Sequence, residues 1–505
     1  MLLDLPSMIV PDQTVIVDGD KVLNYAELRA AVGKVQGLLV ARGVVDANRV
    51  GVFATNSAEM VEVLLGAAAA GATLVPMNYR AGKDEAAHLL VDSGAKVLFA
   101  ETRYRDLIES NKPDSLTDVI YLDEDYEAAR DTAEPAEMIT FVDDDHLGAL
   151  LYTSGTTSLP KGVMLTTGSL SGYVMGTNDA ADGTPMGRQL MAAPLYHIAG
   201  ITSLLNAMYS GRETVLMPQF ESGAWLEAVQ KYGVTNAFLV PTMLARVIDD
   251  PAFGTANLTT LDSITYGAAP MPPSVIRKAV DVFPDAVSFA GAYGQTETTS
   301  TVAVLDPDDH RLQGTEEEVE TKLRRLRSVG KVLDDVEVRV VDEGGNVLPV
   351  GEVGEVQLMT FRAMEGYWGS EEKTRVTVDD EGWVHTGDMG YLDEDDYLFL
   401  AGRSGDMIIR GGENIAPDEV EAVLYEHPAV MEAAVVGVPD EEWGERVVAA
   451  VVLRQADGAD EQALFTHCKD HLAAFKRPES ITLVDELPRT STGKLLRRDL
   501  IPILS

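Results

Sequence analysis

A chain of 505 residues, 46% hydrophobic and 24% charged, is too long for one core and points to a soluble protein of two or more units. With 81 acidic against 40 basic residues its formal net charge is −41, which argues against a nucleic-acid binder and disfavours an anionic membrane surface as partner. Such carboxylate density serves solubility, and its sharper reading is a high-salt habitat. One cysteine, Cys468, leaves no intramolecular disulfide or cysteine-rich zinc site, and within EQALFTHCKDHL it is expected to be an inert buried or half-buried thiol.

The N-terminal MLLDLPSMIVPDQ lacks the basic flank and long apolar run of a signal peptide. VLLGAAAA (63–70), the longest apolar run, is far short of a membrane span. PILS at the other end is no lipidation or retention signal, so a soluble cytoplasmic protein is expected. Along the chain, RVGVFATN (49–56) reads as strand and turn, SAEMVEVLLGAAAAGA (57–72) as helix, and ATLVPMN (72–78) and KVLFAE (96–101) as strands. QLMAAPLYH (189–197), ETVLMP (213–218), TNAFLVP (235–241) and SITYGAA (263–269) continue the rhythm, which predicts parallel sheet flanked by helices. The charged stretch 308–328 reads as an exposed helix with loops. From about Val336 alternation at period two predicts antiparallel hairpins. After Arg403 an amphipathic helix (PDEVEAVLYEHPAV), two strands and a second helix make a small α+β unit. The fold class is thus α/β: a large N-terminal domain (1–402) of helix-flanked sheets with a β-rich subdomain, then a small mobile C-terminal domain (403–505). The short junction GRSGDM (402–407) reads as a hinge.

YTSGTTSLPKGV (152–163) concentrates amides and the hydroxyls of Thr153, Ser154, Thr156 and Thr157 around Gly155, with Lys161 adding charge. That is phosphate-cradle chemistry. It is no Walker A loop, because Lys161 precedes glycine and Pro160 takes the place of the second glycine. Composition alone leaves an ordinary polar turn open.

The order of those residues closely resembles the signature loop of the AMP-forming adenylating enzymes: acyl- and aryl-CoA synthetases, adenylation domains of peptide synthetases and firefly-type luciferases. The resemblance spans nearly the whole chain. It implies that the loop binds the β- and γ-phosphates of ATP, with Ser158 departing from the family's glycine. YGQTET (293–298) resembles the adenine and magnesium segment: Tyr293 would stack on adenine beside Gly294, Thr296 would meet the α-phosphate, and Glu297 would hold Mg²⁺. Gly267, Ala268 and Ala269, in YGAAP, would line adenine and the acyl pocket. Asp388, in GWVHTGDMG, would accept the ribose hydroxyls beside Arg403. Lys494, in PRTSTGKLLRR, would bridge the acyl carboxylate and α-phosphate.

PLYHIAG resembles the acyl-pocket segment, placing Tyr196 and His197 where amino-acid-adenylating relatives carry an aromatic–Asp pair. Phe238 and Val240 would add apolar walls. Gly411, Gly412 and Glu413 resemble the pantetheine loop, and Phe475, Lys476 and Arg477 the segment that meets the CoA nucleotide, where local positive potential is expected. Gly405 stands at the family's hinge position, usually Lys or Asp. The resemblance implies an AMP-forming carboxylic acid–CoA ligase using ATP, Mg²⁺ and coenzyme A, with medium- or long-chain fatty acids first and aryl acids next. An adenylating enzyme loading a carrier protein, a luciferase-like oxygenase and a non-enzymatic nucleotide scaffold are the alternatives. The missing pocket Asp and the chain's end soon after Lys494 count against the first of these, and retention of Glu297 and Lys494 against the last. Homodimers are common for such folds, though no interface is legible.

Overall fold

The computed structural model describes residues 2–45, 47–136, 142–153, 159–440, 443–454, 459–489 and 495–504. Their strands form four sheets. The largest has the strand order Lys331–Val332, Ser300–Leu305, Ser288–Gln295, Ser263–Gly267, Asn236–Leu239, Arg188–Met191, Glu213–Leu216, Thr14–Asp18, Lys21–Asn24. Its middle, from Ser288–Gln295 to Thr14–Asp18, is parallel, and antiparallel strands close both edges. A second sheet carries the parallel strands Leu147–Thr153, Thr73–Pro76, Arg49–Phe53, Val97–Ala100 and Asp118–Tyr121, with Lys161–Thr166 and Gly366–Tyr367 added antiparallel at one edge. These apolar runs are buried on both faces, as parallel sheet requires. Helix Ala58–Ala69, between Arg49–Phe53 and Thr73–Pro76, starts at Ser57, whose hydroxyl accepts from the Met60 amide.

The period-two region folds into a four-stranded antiparallel sheet, Glu337–Val341, Gly354–Met359, Val384–Leu392 and Leu398–Arg403. The chain then passes through a 3₁₀ turn, Ser404–Asp406, into a terminal sheet built on the long pair Val430–Asp440 and Gly444–Leu453. Helices Pro417–Glu426 and Glu461–His471 cover one face of that sheet, burying Val420, Leu424, Leu464 and Cys468 in its core. Burial pushes the Cys468 thiol up to about 11, which makes it unreactive, as read from the sequence. Arg454 of the terminal sheet pairs with Asp249 of helix Pro241–Asp249, which also holds Lys278.

One strand is shorter than its apolar run predicts. QLMAAPLYH leaves the sheet after Met191, because Pro194 has no amide for a ladder and His197 turns the chain into helix Ile198–Ser210. No helix among the described residues is long and apolar enough to cross a membrane.

Candidate functional site

Sheet register aligns three of the predicted pocket strands. Phe238, Thr265 and Ala290 lie side by side on three parallel strands. Their neighbours Ala237, Ile264 and Phe289 are buried beneath helices on the opposite face. The alternation of strand side chains therefore turns Phe238, Thr265, Ala290 and Ala292 to the same, half-buried side, with half-buried Val240 just past the strand end and Gly267 buried on that side. A Cβ on Gly267 would stand 2.2 Å from the Ala292 carbonyl oxygen, so only glycine keeps these strands together. Ala268 takes a left-handed φ of 66°, and with Ala269 it lies exposed at the strand end. Tyr196 is buried edge-on against Tyr79. His197 caps helix Ile198–Ser210: its Nδ1 accepts from the Ala199 amide at 3.3 Å. Nδ1 is therefore unprotonated and the ring proton sits on Nε2. Desolvation lowers the imidazole's pKa below its ordinary value and keeps the ring neutral.

Where Ser288–Gln295 ends, two sheets meet. Asp388 and Arg403 are cross-strand partners, and the Arg403 Nε lies 2.7 Å from Asp388 Oδ1. Across the gap, Tyr293 donates its hydroxyl to Asp388 Oδ2 at 2.6 Å and the Gln295 amide donates to the same oxygen at 2.9 Å. Tyr293, expected as a stacking face, is thus also a donor that aims the carboxylate. Burial and the Asp388 charge together push its phenol well above the usual range.

The turn Thr296–Thr298 follows, with Thr296 buried and Glu297 half-exposed. Tyr367 donates to Glu297 Oε1 at 2.8 Å, and the Lys161 Nζ stands 4.1 Å from the centre of the Tyr367 ring. Desolvation holds Lys161 below the usual lysine value against the opposing pull of Glu297. Residues far apart in sequence thus converge here: Lys161, Glu297, Thr296 and Asp388. No cluster of three or more His, Cys, Asp or Glu suited to a metal occurs among the described residues. A single carboxylate suits Mg²⁺, which keeps water and phosphate oxygens as its other ligands. Glu297 fits that donor set.

Thr153 ends strand Leu147–Thr153 directly opposite Lys161. Ser154, Gly155, Thr156, Thr157 and Ser158 lie outside the described residues, as does Lys494. The flanks of Lys494, Arg489 and Leu495, pair with one another. Three residues on, Arg497 contacts Asp406 of the junction and Asp418 and Glu421 of helix Pro417–Glu426. Burial and the neighbouring Glu421 push the Asp418 carboxyl up to about 6, despite Arg497.

Gly411 and Gly412 form the two-residue turn between Ile408–Arg410 and Glu413–Ile415, both left-handed at φ 61° and 86°. Gly405 has open space where a Cβ would go and no left-handed φ, so this conformation makes no demand for glycine there. Phe475 is exposed nearby, its carbonyl accepting from Arg410. The expected positive potential at this end is offset. Lys476 is held by both oxygens of Glu419, Arg410 pairs with Glu479, and the Arg477 Nε is spent on the Leu472 carbonyl. In so acidic a chain Lys476 and Arg410 both find carboxylates.

Sequence reasoning missed Gln295, Tyr367 and Trp443. Gln295 stands inside the YGQTET motif. Tyr367 and the Trp443 ring, which abuts Gly411, carry no signal apart from their spatial neighbours.

A family model described as AMP-binding enzyme matches residues 9–368, and one described as AMP-binding enzyme C-terminal domain matches residues 419–494. The chain is 34% identical to the fatty acid–[acyl-carrier-protein] ligase ScoC of Streptomyces coeruleorubidus over 97% of its length and 93% of that protein's. It is 36% identical to a feruloyl-CoA synthase of an Amycolatopsis species over 96% and 95%. The o-succinylbenzoate-CoA synthetase MenE of Bacillus subtilis, solved with its acyl-adenylate intermediate, superposes with a TM-score of 0.86 at 30% identity, covering 99% of this chain and 97% of that one. The chain belongs to the AMP-binding enzyme family, the adenylate-forming ligases.

Proposed function

We propose that the chain is an AMP-forming ligase that joins an aryl carboxylic acid to CoA through an acyl-adenylate, with the residues above in the following roles. The acid's carboxylate attacks the α-phosphorus of ATP and pyrophosphate leaves. The CoA thiol then attacks the activated carbonyl and AMP leaves. Asp388, aimed by Tyr293, Gln295 and Arg403, accepts the ribose hydroxyls. Lys161 and the loop 153–157 take the outer phosphates, Thr296 meets the α-phosphate, and Lys494 bridges it to the acyl carboxylate. Mg²⁺, held by Glu297, supplies charge neutralisation on the phosphates. Neutral His197 presents its Nε2–H toward the acyl side and adds no charge there. Gly411, Gly412 and Glu413 line the pantetheine path, and Phe475, Lys476 and Arg477 meet the CoA nucleotide once Glu419 releases Lys476. The terminal unit turns about Gly405 to bring Lys494 and the Gly411 turn to the site in different steps.

One observation carries the aryl reading. Strand register aligns Phe238, Thr265 and the small Ala290 on one half-buried face, an apolar surface with one hydroxyl-bearing residue. Ferulate, an aromatic acid with a ring hydroxyl, matches that pattern. A medium- or long-chain fatty acid is the second reading, favoured by the similarity to ScoC. The test is acid-dependent AMP release and thioester detection across benzoate, cinnamate, ferulate, octanoate, dodecanoate and hexadecanoate. Turnover of ferulate or cinnamate well above the alkanoates supports the aryl reading. Preference for the alkanoates replaces it with the fatty-acid reading, and no AMP release with any acid rejects both.

A further inference from the structure

The turn that presents Thr296 and Glu297 is held in a conformation its own residues disfavour. Thr299 and Ser300 follow in succession with φ of 51° and 77°, a left-handed pair without glycine. Such a conformation is unfavourable for residues that carry a Cβ and persists only where surroundings impose it. Thr298 and Thr299 are fully buried, and Ser300 nearly so. The kink drives the carbonyls of Thr298, Thr299 and Thr301 toward the interior, where water does not reach.

All three carbonyls accept from one atom. Nη1 of Arg362 lies 3.3 Å from Thr298 O, 3.2 Å from Thr299 O and 3.3 Å from Thr301 O. Arg362 is 1% exposed. Its other edge grips Asp335 bidentately, Nε to Oδ2 at 2.6 Å and Nη2 to Oδ1 at 3.1 Å, and the Tyr173 ring lies 5.1 Å from the guanidinium. The contact is reciprocal, since the Thr299 hydroxyl donates to the Arg362 carbonyl at 2.6 Å. Two residues on, the Met364 amide donates to the Glu297 carbonyl at 2.8 Å, and Tyr367 reaches the Glu297 carboxylate. One short segment therefore holds the turn from behind, along its backbone and at its tip.

We infer that Arg362, braced by Asp335, is a positioning residue for the first half-reaction: it locks the left-handed Thr299–Ser300 kink and thereby sets where Thr296 and Glu297 meet the metal-bound nucleotide. The inference rests on the proposed role of Glu297. A lysine in its place keeps the charge but cannot grip Asp335 with two nitrogens and serve three carbonyls with a third. The turn then relaxes, and Glu297 moves relative to the phosphates. The second half-reaction starts from a formed adenylate and needs neither outer phosphates nor their cation.

The test uses the full chain, with Arg362→Lys and Asp335→Asn. Adenylate formation and thioester formation from supplied adenylate are measured separately, with whichever acid of the panel turns over. The increment in melting temperature that magnesium adds to ATP alone, with chelator as reference, reads the site without turnover. In Arg362→Lys adenylation falls about 10- to 100-fold and the magnesium requirement rises, while thioester formation changes less than about threefold. The magnesium increment in melting temperature shrinks. Asp335→Asn, at a partly exposed position, shows the same pattern more weakly and serves if Arg362→Lys does not fold. Equal slowing of both half-reactions with an intact magnesium increment marks a purely structural arginine and overturns the inference, as does unchanged adenylation in both variants. Glu297→Gln in the same assays checks the reading beneath: an intact increment there removes Glu297 as the metal's ligand, and the inference with it.

Discussion

Replacing Gly411 by alanine tests whether the turn at 411–412 serves the second half-reaction. Gly411 sits at φ 61°, and an L-residue in that region costs about 1–2 kcal/mol. Its new Cβ would also lie 3.0 Å from Cε3 of Trp443, closer than ordinary contact, so the indole must shift. Gly412 is the internal control: at φ 86° it pays the same kind of backbone cost, with nothing within 4 Å of its Cβ. At tenfold per 1.4 kcal/mol, the backbone cost alone lowers kcat/KM for CoA by about 5- to 30-fold in Gly412→Ala. Gly411→Ala falls further, by the amount the Trp443 contact adds. The assay is thioester formation from supplied acyl-adenylate with CoA varied, alongside acid-dependent pyrophosphate release. Adenylation should stay within about twofold in both variants, since the strained turn plays no part before the thiol enters. Adenylation falling in step with thioester formation, or the two variants behaving identically, would refute the reasoning.

Three further outcomes follow from the geometry. Tyr367→Phe removes the hydroxyl that Tyr367 donates to Glu297 Oε1 and the orientation it imposes, so the magnesium concentration for half-maximal adenylation should rise about threefold to tenfold, a titration at saturating ATP being the check. Lys494→Ala should suppress adenylate formation by about 100-fold or more yet spare thioester formation from supplied adenylate; equal loss of both would count against a lysine that acts in one step. His197 and His310 have pKa values lowered from 6.5 by burial, so the unfolded chain takes up protons first as pH falls. Stability should therefore be fully present above about pH 6.5 and decline below it. In denaturant titrations between pH 7.5 and 5, His197→Asn should flatten that decline.

The fold and much of the candidate site were legible because both are written in contiguous stretches. Apolar runs such as VLFA and the alternating VEVRVV announce parallel and antiparallel strands by their period alone. Asp388 and Arg403 each stand in a short motif, and register then makes them neighbours. Gln295, Tyr367 and Arg362 escaped for the opposite reason. Tyr367 acquires its role from a partner 70 residues away and Arg362 from carbonyls about as distant, separations that no local pattern encodes. The tip around Lys476 shows a different gap. AFKRP reads as a basic tip, but Glu419 lies 57 residues from Lys476 in the chain and two hydrogen bonds from it in space.

That pairing of cations with carboxylates bears on how polyanions arrive. Lys476 and Arg410 are already neutralised by Glu419 and Glu479, so an incoming phosphate would trade one ionic partner for another and gain little local pull. What an approaching nucleotide meets from afar is the field of 81 carboxylates against 40 cations, which is repulsive. Dissolved ions shorten the reach of that field from about 30 Å in dilute buffer to about 3 Å in molar brine. Salt, which slows electrostatically guided encounters in most enzymes, should here lift a barrier, so that both nucleotides are expected to be captured faster as ionic strength climbs.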